Sequence, residues 1–104
     1  MTVPGLSTHE IDMMAGVFRR HPEVVAVKLF GSRAKGTHVP GSDVDVAVWG
    51  EMDDIQAQAV AAELDALPLP YRFEVKRFAG IRLQALREHI ERVGIVIYPA
   101  GGQS

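Results

Sequence analysis

Residues 31–48 read GSRAKGTHVPGSDVDVAV, and the way this stretch opens and closes decides the fold. It closes on Val44, Val46 and Val48, which alternate with Asp45, Ala47 and Trp49 until Gly50. That period of two marks a β-strand. It opens directly after Val24-Val25-Ala26-Val27-Lys28-Leu29-Phe30, a short β-branched run that reads as a buried strand. Between the two strands, residues 31–42 form a polar loop with three glycines and Pro40. A loop of that length is too short for a helical crossover, so the strands are expected to run antiparallel.

Working outward, Ser7-Thr8-His9-Glu10 reads as a capping box, and Ile11, Met14 and Phe18 follow at helical spacing until His21-Pro22. On the other side a helix is expected over 54–67, rich in Ala, Gln and Glu and ended by Pro68-Leu69-Pro70. Residues 71–78 alternate as a third strand. Leu83, Leu86, Ile90 and Val93 make a helical stripe that reads as core, with Gly94 at the C-terminal cap and Ile95-Val96-Ile97-Tyr98 as a fourth strand. The order is α-β-β-α-β-α-β. It predicts an α/β (α+β) fold, a small mixed sheet of about four strands covered by helices. The 104 residues fit one domain, 1–104, with 99–104 as a loose tail.

Composition narrows the function classes. Eleven basic residues face thirteen acidic ones, a net charge of -2, which argues against direct nucleic-acid binding but leaves room for a local phosphate pocket. Cysteine is absent, so disulfides and thiolate metal sites are excluded. No window approaches the ~18 apolar residues of a membrane span, and the first residues lack a signal pattern. The expectation is a cytoplasmic protein with no membrane association. His9, His21, His38 and His89 show no metal-ligand spacing.

Three features carry chemistry. Gly31-Ser32 follows a buried strand, where a glycine lets backbone N–H groups approach an anion and the hydroxyl adds a donor. Asp43 and Asp45 stand two apart on a strand, about 6–7 Å between Cα atoms, so both carboxylates can reach one hard cation. Glu74 falls within the third strand, where an acid on an interior sheet position is costly unless paired or metal-bound. Each has a plainer reading. Gly31-Ser32 can be a strand-ending turn, Asp43 a turn former after Pro40-Gly41, and Glu74 part of an exposed face flanked by Arg72 and Lys76. Arg33 and Lys35 suit a triphosphate or a solvated loop. Ser42 suits a phosphate, the orientation of Asp43 or a local turn. Trp49 suits core packing more than base stacking. Taken together, paired carboxylates beside an anion nest suit nucleotidyl transfer, which needs cations on a triphosphate and an acid near the attacking hydroxyl.

Gly31-Ser32, ten intervening residues and then Asp43-Val44-Asp45 resembles the signature of the polymerase-β-like nucleotidyltransferase superfamily. The whole stretch is similar to the MNT group, minimal nucleotidyltransferases that serve as antitoxins beside HEPN toxins. The first helix, LPLPYRFEV and LREHIERVGIVIY extend the likeness over nearly the whole chain. The resemblance implies Asp43, Asp45 and Glu74 as catalytic and metal-binding residues. It implies Gly31, Ser32, Arg33 and Ser42 at the nucleotide, with two Mg2+ ions and ATP as substrate. Aspartate is the family's usual third acid, so Glu74 is a departure that places activity in question.

The implied function is adenylylation of a tyrosine on a cognate HEPN ribonuclease toxin. Two alternatives stay open: a catalytically weak or silent antitoxin that neutralises by binding, and a small-molecule, antibiotic-type nucleotidyltransferase. Larger members carry a helical domain that completes the site, so a partner or a homo-oligomeric second copy is expected to supply that wall.

Overall fold

The computed structural model describes residues 6–31 and 43–99. Helix α1 (Thr8–Arg19) leads into strand β1 (Val24–Phe30), followed by β2 (Val44–Gly50), α2 (Asp54–Asp65), β3 (Phe73–Arg77), a 3-10 turn (Phe78–Gly80), α3 (Gln84–Val93) and β4 (Ile95–Tyr98). The element order is the one the sequence predicts.

Local chemistry sets the helix starts. Ser7 Oγ accepts from the Glu10 N–H at 3.1 Å, while Glu10 Oε1 accepts from the Ser7 N–H at 2.9 Å, the expected capping box. A second box starts α2, with Asp53 and Gln56 exchanging bonds of 2.8 Å. Helix α2 ends at Asp65, two residues before the expected 67, because Ala66 closes the last turn and Leu67 bonds back to Leu64.

The four strands lie in the order β3-β2-β1-β4. β1 is antiparallel to β2, as the loop length predicts, and also to β4, whereas β2 and β3 are parallel, with α2 as their crossover. An extra residue, Val25, bulges β1 opposite Gly50. Gly50 holds φ 148° there, and a Cβ would strike the Glu23 carbonyl.

The two sheet faces bury unequal cores. One face packs Val27, Leu29, Val44, Val46 and Val48 against Met14 and Phe18 of α1 and Val60 and Leu64 of α2. Each such side chain contributes about 1.5–3 kcal/mol by leaving water. The other face carries a smaller cluster of Phe30, Ala47, Phe78 and Ile90 under α3. Here the expected Leu83–Val93 core stripe is corrected: Ile90 alone is fully buried, and Leu83, at the N-cap, is 65% exposed. β3 is also shorter than the expected 71–78, since Phe78 leaves the strand to stack on Trp49 at 4.4 Å between ring centroids.

Candidate active site

The α3 face of the sheet is where an acidic cluster forms, because β2 turns its valines to the larger core and Asp45 to the opposite side. Asp45 sits opposite Phe30 on β1 and in register with Glu74 on β3. The parallel pairing therefore brings the acid of one strand beside that of its neighbour, on the same face. Asp43 lies one residue before β2 and is exposed.

Gly31 adopts φ 80°, the left-handed region that glycine occupies without strain. A Cβ built there would run into Oδ2 of Asp45. The carboxylate thus packs directly over the glycine backbone at the end of β1. The Gly31–Asp45 contact links the two ends of the motif.

Electrostatics report the crowding. The Asp45 carboxyl is pushed above its ordinary value, first by burial and then by the negative charges of Glu74 and Asp43, with Lys76 pulling the other way. A half-buried acid facing two more acids is a site with surplus negative charge, and an all-oxygen donor set is what a hard divalent cation requires. Among the described residues no three acid or imidazole groups stand close enough to cage a metal ion.

Glu74 differs from its expected setting. β3 is an edge strand, the Glu74 side chain is 51% exposed, and Oε2 lies 3.1 Å from Lys76 Nζ. The cost of burying an interior acid therefore does not apply to it. Glu74 is paired on an exposed face and stands in register with Asp45. The sequence named Lys76 only as a flanking charge; its i, i+2 spacing from Glu74 on a strand was the available signal.

Ser32, Arg33, Lys35 and Ser42 lie outside the described residues. Trp49 is committed to packing. Phe78 stacks on one side, and Lys28 Nζ stands 5.6 Å from the ring centroid. Arg87 in turn lies 4.4 Å over Phe78 and donates to the Phe78 and Ile81 carbonyls. A recess of about 650 Å³ lies along the outer edge of β3 between α2 and the start of α3, lined by Lys76 but not by Asp43, Asp45 or Glu74. We place the chemistry at the acids, because a shaped hollow without convergent reactive groups has no means to act on a phosphate. No helix among the described residues is long and apolar enough to cross a membrane.

Residues 13–101 match the profile of the family described as Polymerase beta, Nucleotidyltransferase. No curated protein matches the chain. Solved structures do. A toxin–antitoxin complex with AMP-PNP superposes with a TM-score of 0.73 at 22% identity, covering 88% of this chain and 74% of that one. The MntA-HepT toxin–antitoxin gives 0.68 at 19% identity, with 88% and 72% covered. A tri-AMPylated Shewanella oneidensis HEPN toxin in complex with its MNT antitoxin gives 0.69 at 19% identity, with 89% and 72% covered. At these identities the likeness is one of fold.

Proposed function

Since the chain belongs to the polymerase beta nucleotidyltransferase family, we propose that it transfers AMP from ATP to a tyrosine hydroxyl of a HEPN-type toxin, acting as the antitoxin of the pair. The observation that carries the reading is the Asp45 carboxylate, packed over Gly31 and set in register beside Glu74. Two solved complexes of the same fold support the substrate and the acceptor, one holding AMP-PNP and the other an AMPylated HEPN toxin.

Asp43 and Asp45 would hold Mg2+ and, through it, the triphosphate, with Glu74 as the third acid. When bound, the ions neutralise charge on the phosphates and favour in-line displacement of pyrophosphate. The chain's own groups do the rest. Gly31 carries no side chain of its own, so its backbone can come close to an anion beside the Asp45 carboxylate. Asp45, with its raised proton affinity, gives the site a reason to draw cations. Glu74, once parted from Lys76, would accept a hydrogen bond from the attacking hydroxyl. Ser32, Arg33 and Ser42 would bind phosphate oxygens.

Incubation with ATP, magnesium and the purified product of the neighbouring gene, followed by intact mass spectrometry, tests the proposal. The expected result is a mass gain of one or more AMP units on the partner, abolished in Asp43→Ala/Asp45→Ala. A tight complex with no mass gain would instead favour stoichiometric neutralisation. That second reading draws on one observation, the Glu74 carboxylate engaged by Lys76.

A further inference from the structure

We propose that the outer edge of β3 is a docking strip on which an extended, net-acidic segment of the acceptor protein adds as a further strand beside Val75. The inference rests on the transfer reading above, for it supplies the acceptor's binding surface.

The edge is open and partly capped. In β3 the Arg72 carbonyl accepts from the Val44 N–H at 2.8 Å, so Arg72, Glu74 and Lys76 turn their backbone groups toward β2. Phe73, Val75 and Arg77 turn theirs outward. The outward N–H of Phe73 is already satisfied by Asp65 Oδ1 at 3.1 Å. Among the described residues nothing caps Val75. An edge position with a free donor and acceptor is what strand addition uses.

The surroundings fit one strand. The recess of about 650 Å³ runs along this edge, with Ala57 and Ala61 on the α2 wall and Ile81, Leu83 and Leu86 on the other. Leu83 stays 65% exposed, apolar surface that no described residue covers. An added strand would lie about 4.8 Å from β3, between these walls. Walls on both sides admit a single strand more readily than a second sheet with its own helices.

Charge selects the occupant. Lys76, Arg77 and Arg82 line the recess against one acid, Asp54, which Arg77 already engages at 2.9 Å. With Lys76 held by Glu74 and Arg77 by Asp54, Arg82 is the surplus charge among these lining residues, so an acidic segment is favoured. Lys76 also connects strip and site, since its Nζ is 3.1 Å from Glu74 Oε2. An acid on the incoming strand would draw Lys76 away and leave Glu74 for the acceptor hydroxyl.

Amide exchange of the full chain, followed by NMR with and without the purified product of the neighbouring gene, reads the strip directly. The Val75 amide is expected to slow at least about tenfold in the complex. In transfer assays Arg82→Glu/Leu83→Asp is expected to raise KM for the acceptor about tenfold and leave KM for ATP unchanged. Both positions are exposed, so folding is spared. Unchanged Val75 exchange in the complex overturns the docking strip, and so does an acceptor KM within about twofold of wild type. Transfer without Val75 protection removes the strip and leaves the transferase. Protection without transfer does the reverse. Val75 protection in the chain alone, accompanied by dimerisation, would assign the edge to a second copy and overturn the proposal.

Discussion

At the scale of single residues, Asp45 works against the fold that holds it. Its folded-state proton affinity is raised by burial and by two neighbouring acids, so the charged form is disfavoured relative to the unfolded chain. The cost is complete above the raised value and disappears as pH falls to the ordinary 3.8. Asp45→Asn should therefore raise Tm at pH 7 by a few degrees, with the gain over wild type shrinking on acidification, while AMP transfer falls at least about 100-fold. Calorimetry across pH beside a transfer assay checks both halves; equal Tm values at pH 7 would contradict the account. The positions of Gly31 at the end of a strand and of Asp45 on the next are legible in the sequence because the signals are local, a glycine closing a β-branched run and acids at a period of two. The Lys76 partner of Glu74 was less so. Whether a strand lies at an edge is decided by pairing with distant segments, and that decides whether an acid on it meets water or core.

Between whole elements, a small polar cluster adds to the apolar contact by tying the residues just after α1 to α2. Glu63 on α2 accepts from Arg20 Nε and Nη2 at 3.2 and 3.0 Å, and its other oxygen lies 2.9 Å from His21 Nε2. Arg20 first, and then His21, hold the Glu63 carboxyl below its ordinary 4.5. The sign is that of a depressed acid: the stability it contributes is present above 4.5 and lost as pH falls through the lower folded value. Glu63→Gln should leave stability at pH 7 slightly reduced and flatten the acid limb below pH 4.5. Chemical denaturation at pH 7 and pH 4 measures that slope, and parallel curves for both proteins would refute it. The α1 capping box was read from its spacing, yet the equivalent box at Asp53 and Gln56 was not, although the same pattern stands in the sequence. The third strand was read too long, since Phe78 follows its ring to Trp49 instead of the strand's alternation.

For the molecule as a whole, the larger core sets the stability. Leu64 is fully buried where α2 meets the sheet, and Leu64→Ala should cost about 2–5 kcal/mol. Set against the 5–15 kcal/mol typical of single domains, that loss is large enough to read from the denaturant midpoint, with an unchanged slope expected. Element order and the antiparallel β1–β2 pair were legible, because loop length and periodicity are written locally. The sheet order β3-β2-β1-β4 was not, for it depends on which strands meet after crossovers.

The parallel β2–β3 pairing has a consequence for timing. Asp45 and Glu74 come together only after α2 has folded across and β3 has found its register. Pairing of this kind is a late, non-local event in folding. A nascent chain halted before Phe73 would carry the glycine and both motif aspartates without Glu74, and on the proposed reading would lack a complete site. Synthesis therefore has a threshold near β3, and competence should arrive in one step instead of growing with length.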